Sequence, residues 1–218
     1  MRSRVHFVSP LATRLILCSA VAPLLLYMLG AGALATDITV DTPTTGPVGT
    51  PGDDVITVTQ NGAVTTTNDQ PAVKLQGSDV LVNNGVISST NASAVKRSNK
   101  DNSGYRITNR GRIESATNPA INLRGGGSEA GDVLINSGTI IGGNGEAIRM
   151  GGGDDMVQLE TGSNVVGNIH GYSGVPGATP IRCHFHSGSQ HAAELGCNSW
   201  STISHAEERQ EITLLISH

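Results

Sequence analysis

The chain is 218 residues long, with 28 glycines, 3% aromatic residues and a formal net charge of −4. An acidic chain with no basic run is not built for nucleic acid or an anionic membrane, and neither is expected as a partner. So few aromatics also argue against a compact globular core, which usually recruits them.

Residues 1–35 read as a Sec-type signal peptide. Arg2, Arg4 and Arg14 form a basic start, Leu15 to Leu29 is an apolar run broken by small residues and Pro23, and Ala33-Leu34-Ala35 is a small-x-small cleavage site. The apolar run is short for a membrane span, and Cys18 follows Leu17 rather than the small residue a lipoprotein signal needs. Cleavage before Thr36 removes three arginines and no acid, which takes the formal charge from −4 to −7. Residues 36–54 read as a strand, Asp37-Ile38-Thr39-Val40, followed by a Thr/Pro/Gly-rich turn segment from Thr42 to Pro51.

From residue 55 a phrase recurs. Leu81-Val82-Asn83-Asn84-Gly85-Val86-Ile87 is matched by Ile107-Thr108-Asn109-Arg110-Gly111-Arg112-Ile113 and by Leu134-Ile135-Asn136-Ser137-Gly138-Thr139-Ile140. A second phrase follows each: Ala94-Val95-Lys96, Ala120-Ile121-Asn122-Leu123 and Ala147-Ile148-Arg149-Met150, with an earlier copy at Ala72-Val73-Lys74-Leu75. A fixed period in the twenties with short β-rich phrases predicts a solenoid, one coil per repeat. The expectation for residues 55–171 is an all-β, right-handed parallel β-helix of about four to five coils. Each coil would hold a strand, an Asn-x-Gly corner where glycine supplies a positive φ, a second strand, and a short third strand. Inward positions are expected to include Val82, Ile87, Ile107, Ile113, Ile121, Ile135, Ile140, Ile148, Val157 and Ile169. Asn83, Asn109 and Asn136 would stack, with their amides bonded along the axis. Polar excursions at Ser98–Gly104 and Gly125–Gly131 would leave the coil as loops, and Asn91-Ala92-Ser93 is formally a glycosylation sequon.

The segment Gly151-Gly152-Gly153-Asp154-Asp155-Met156-Val157-Gln158-Leu159-Glu160-Thr161-Gly162-Ser163-Asn164-Val165-Val166-Gly167-Asn168-Ile169 resembles a stretch in the passenger regions of bacterial autotransporters (type V secretion), as do the Asn-x-Gly-x-Ile coils upstream. The resemblance runs from about Thr36 to Gly171. It implies a parallel β-helix exported through the outer membrane of a Gram-negative cell, with a structural or adhesive role toward a surface glycan or protein. The family's membrane β-barrel, with its alternating strands and aromatic girdles, has no counterpart after Gly171. The resemblance therefore implies a truncated passenger retained in the periplasm rather than displayed.

Residues 172–218 break the pattern. His184, His186, His191, His205 and His218 lie here, with Cys183, Cys197 and Trp200. Those Cys and His types suit zinc, but their spacing matches no finger or ribbon. Back-translating Ser173 to Phe185 with a shift of two nucleotides permits a glycine-aspartate phrase of the passenger type, so this tail is read as out of frame. The coil ending at Ile169 is then expected to expose strand edges and an apolar layer around Val157, Leu159, Val165 and Ile169, with Ile212–Ile216 too short to cap it.

No catalytic residue and no cofactor emerge. Asp53-Asp54 and Asp154-Asp155, each on a Gly turn, approach one calcium-binding nonapeptide and are the only metal candidates. Calcium takes six to eight oxygens, and neither pair has a neighbouring copy to complete a site. A polysaccharide-active β-helix enzyme is the alternative function, with Asp154, Asp155 and Arg149 sharing an edge, but paired carboxylates alone do not define a reaction. Lys96-Arg97 and Arg110/Arg112 read as solvated charges on outer faces.

Overall fold

A computed structural model describes residues 36–98, 103–125 and 130–171, together with the backbone of three short strands at 182–185, 190–191 and 212–215. The leader, the centres of both polar excursions and most of the tail lie outside the described residues, and so do the side chains of the tail's zinc-type ligands.

The chain climbs coil by coil. The first coil holds β1 (Ile38–Val40), β2 (Pro43–Thr45) and β3 (Val48–Gly49). The second holds β4 (Val55–Val58), β5 (Ala63–Thr66) and β6 (Val73–Leu75). The third holds β7 (Val80–Asn83), β8 (Val86–Ser89) and β9 (Val95–Arg97), and the fourth β10 (Arg106–Asn109), β11 (Arg112–Ser115) and β12 (Ile121–Asn122). Then come β13 (Val133–Asn136) with the long β14 (Thr139–Arg149), and β15 (Met156–Leu159) with β16 (Asn164–His170). Strands one coil apart pair in parallel throughout, giving a β-solenoid of about five turns with no helix among the described residues. The rest of each coil serves as the crossover that parallel pairing requires.

The segment read as a turn, Thr42–Pro51, is instead the rest of a first coil. β2 pairs with β5 and β3 with β6, because the next coil offers each extended stretch a full set of backbone partners. Pro43 and Pro47 stand on the outer edge of that rung, where a missing N–H costs no ladder bond.

The interior is a stack of aliphatic layers. Leu81, Ile107, Leu134 and Val157 form one buried column, Ile87, Ile113, Ile140 and Val165 a second, and Val95, Ile121, Ile148 and Ile169 a third. Two expected inward residues face outward: Val82 and Ile135 are only partly buried, while Leu81 and Leu134 take the core positions. The asparagines decide this parity. Asn83 and Asn136 point inward, so the residue two before each must also, and a shift of one residue reverses every side chain on a strand.

Arg97 also departs from its reading as a solvated charge. It is 1% exposed, registered with Leu75, and its Nη1 donates to Leu123 O at 3.1 Å. Its guanidinium lies 5.4 Å from the Tyr105 ring centroid, a cation–π distance. Strand alternation puts Lys96 outward and Arg97 in, whatever its charge.

Beyond Gly171 the tail adds to the solenoid end. β17 (Arg182–Phe185) pairs in parallel with β15, β18 (Gln190–His191) with β16, and β19 (Ile212–Leu215) closes antiparallel on β17. Val157, Leu159, Val165 and Ile169 are consequently buried to 1% exposure or less. The expected open apolar layer is absent: a further rung follows Val157 and Leu159 at β17 and Val165 at β18.

Candidate functional surface

The residue types that might have carried chemistry are gathered into columns that hold the coils together. The first is the asparagine ladder at the end of the first sheet. Asn83 Nδ2 donates to Asn109 Oδ1 at 2.7 Å, and Asn109 Nδ2 to Asn136 Oδ1 at 2.7 Å. All three side chains are fully buried. Val58 precedes the ladder in register and Leu159 follows it, so it ends against apolar rungs.

The second column is the glycine corner beside it, where the structure gives a different reason for glycine than the one expected. Gly85, Gly111 and Gly138 do not have positive φ. A Cβ on Gly111 would instead collide with Gly85 O and sit 2.7 Å from Asn84 C; Gly138 meets Gly111 O and Arg110 C in the same way. The corner carbonyls also accept from the next coil, as in Arg112 N to Gly85 O and Thr139 N to Gly111 O, both at 2.8 Å. The coils approach so closely here that no side chain fits.

The third column is acidic and was only half visible in the sequence. Asp54, Asp79, Asp132 and Asp155 immediately precede the first strand of their coils, and all are buried to 1% or less. Asp79 Oδ1 accepts from Asp54 N at 3.0 Å, Asp132 Oδ1 from Tyr105 N at 2.7 Å, and Asp155 Oδ1 from Asp132 N at 2.8 Å. Asp79 Oδ2 also accepts from Thr50 Oγ1 and Gln76 N, both at 2.8 Å. Each carboxylate thus caps an amide of the coil before it, just ahead of that coil's first strand. The signal that locates them is an Asp followed by a strand's first outward residue: Asp54-Val55, Asp79-Val80, Asp132-Val133, Asp155-Met156. Tyr105 takes that place in the fourth coil.

Of the calcium candidates, Asp54 and Asp155 therefore belong to this column. Asp54 Oδ1 accepts from Thr36 N and Oδ2 from Gly52 N. Asp53 sits at φ 62° and its Oδ1 accepts from Ser78 N at 2.8 Å, while Asp154 is exposed. Among the described residues no group of three or more His, Cys, Asp or Glu is placed to hold a metal ion. Asp79→Ala should lower stability by about 3 kcal/mol, because three donors lose their acceptor at a buried corner. Asp154→Ala should stay within about 0.5 kcal/mol. Urea unfolding of the two variants checks this.

The residues proposed to share a catalytic edge are separated in role. Arg149 Nη2 is bonded to Glu146 Oε2, and His170 Nε2 lies 3.7 Å from Glu146 Oε1, while Asp155 is buried in its column. The outer surface carries shallow concavities. One of about 390 Å3 is lined by Ser88, Thr90, Glu114, Ala116, Ile141 and Gly143; another of about 460 Å3 by Thr59, Gln60, Asn84 and Arg110. Neither brings carboxylates together: the first has Glu114, which is paired with Arg112, and the second has none.

The run of third strands, β3, β6, β9 and β12 with the ends of β14 and β16, has an outward face one residue wide. Lys74, Lys96, Asn122, Arg149 and His170 are successive register partners on it.

No protein-family model matches the chain, and comparisons with curated proteins and with solved structures find no significant match.

Proposed function

We propose that this is an exported solenoid of the autotransporter-passenger type, with a structural or adhesive role at the cell envelope and no enzymatic activity. The observation that supports this most is where the polar chemistry resides. Buried asparagine amides and aspartate carboxylates are bonded to neighbouring amides and backbone N–H groups, and the concavities described lack the paired carboxylates of glycan cleavage. What such a molecule offers a partner is length and a regular set of outer faces, the usual working surface of solenoids.

The leader reading supplies the direct test. Expressed from its own gene in a Gram-negative host, the chain should appear outside the cytoplasm with Thr36 as its first residue, as read by N-terminal sequencing of the periplasmic fraction. A cytoplasmic product that retains residues 1–35 would overturn the export reading. Acidic polysaccharides incubated with the purified product should keep their length; a rise in reducing ends would restore the enzymatic alternative.

A further inference from the structure

We infer that the outward column along β6, β9, β12, β14 and β16, formed by Lys74, Lys96, Asn122, Arg149 and His170, is a docking track for an extended acidic polysaccharide. The inference rests on the adhesive reading above and names its ligand class.

The register places these residues directly above one another: Lys74 on Lys96, Lys96 on Asn122, Asn122 on Arg149, and Arg149 on His170. Their flanking neighbours Val73, Leu75, Val95, Arg97, Ile121, Leu123, Ile148, Met150 and Ile169 are all buried, so each rung offers this face a single side chain. Lys74 is exposed and the other four are partly so. Gly49 precedes Lys74 in register and leaves the track open toward the first rung.

Strands in a sheet are about 4.8 Å apart, so four steps from Lys74 to His170 span about 19 Å. A line of that length and one side chain in width is too narrow for a globular partner, whose stable interfaces bury about 800 Å2 per side. A flat anionic bilayer would likewise meet only the crest of a curved surface. A polysaccharide is itself a line, advancing per sugar by roughly one rung and carrying an anion at regular intervals. Asn122 at the centre offers an amide that can donate to a carboxylate or accept from a hydroxyl. Glu146 is the acid beside the track, bonded to Arg149 and 3.7 Å from His170. It leaves Lys74 and Lys96 as the less compensated end. The column stands out against a chain with an acidic excess.

Heparin serves as the sulfated probe, tested with the full purified chain at low salt against neutral dextran. The chain should bind heparin and not dextran, and Lys74→Gln/Lys96→Gln should weaken binding about tenfold, as loss of two charge contacts would. Arg106→Gln/Arg110→Gln removes the same charge from another face and should change affinity less than about twofold. Failure of the unaltered chain to bind, equal losses in the two double variants, or tighter lysine-dependent binding to anionic vesicles or single-stranded RNA would each overturn the inference. Because binding is read on purified protein, a negative result with a correctly processed, exported chain removes only the track. Binding without export removes only the envelope reading.

Discussion

Gly111→Ala should destabilise the solenoid by about 3 kcal/mol or more, and Gly111→Asn should do no better. The added Cβ would run into Gly85 O and lie 2.7 Å from Asn84 C. Both are backbone atoms of the coil beneath, already fixed by the Arg112 N to Gly85 O bond at 2.8 Å. Relief requires separating two coils, which strains several ladder bonds at once, so the cost exceeds ordinary overpacking of a side-chain core. Asparagine is informative because it tolerates left-handed backbone. If the corner needed positive φ, asparagine would rescue it. The opposite behaviour belongs at Gly145, where φ is +83° and nothing lies within 4 Å of the Cβ position. There asparagine should cost less than alanine, and both less than any change at Gly111. Urea midpoints for the four variants separate the explanations: a near-native Gly111→Asn would show that conformation, not close approach, governs the corner.

Asn109→Ala should cost about 3 kcal/mol, more than the same change at Asn83 or Asn136. Asn109 is the only rung of the ladder bonded on both sides, accepting from Asn83 and donating to Asn136. Its loss leaves the buried amide N–H of Asn83 below and the buried carbonyl oxygen of Asn136 above without that partner, in a layer fully closed to water. The terminal rungs each strand one such group. Asn109→Leu should be little better than alanine despite filling the space, since the penalty lies in the unpaired neighbours rather than in the cavity. Replacing all three asparagines by leucine would extend the apolar columns of Val58 and Leu159 and should recover much of the loss. Thermal unfolding of the single and triple variants measures this, and equal losses at the three positions would contradict a continuous ladder.

The fold was legible because its cause is repetitive. Glycines at 85, 111 and 138 mark the coil length, and every coil needs the same corner. The asparagine ladder could be read from the same phrase. The parity of each strand was harder to read. Leu81-Val82 and Leu134-Ile135 are apolar at both positions, so hydrophobicity alone does not say which faces inward, and only the burial of the next asparagine does. The acidic column was not legible at Asp79 and Asp132 because a single Asp before a strand carries no mark of its burial, and the pairs at 53–54 and 154–155 read as solvated turn carboxylates with too few ligands for calcium. Arg97 was misread because a guanidinium is expected outside, whereas strand alternation and the Tyr105 ring place it within. The basic column escaped the sequence because its members are more than twenty residues apart. They meet only once the coils are stacked in register.

That register underlies the polar columns, the glycine corners and the docking track alike, and spin-label distances test it directly. With Cys18, Cys183 and Cys197 replaced by serine, labels at Thr39→Cys and Gln158→Cys lie on the outward column that runs through Thr57, Val82, Thr108 and Ile135. Five rung spacings predict about 24 Å between them, and labels at Lys74→Cys and His170→Cys, four rungs apart, about 19 Å. Both distributions should be narrow and differ by about one rung. Broad distributions, or a Lys74–His170 distance longer than the Thr39–Gln158 distance, would contradict a parallel solenoid in this register and remove the track with it.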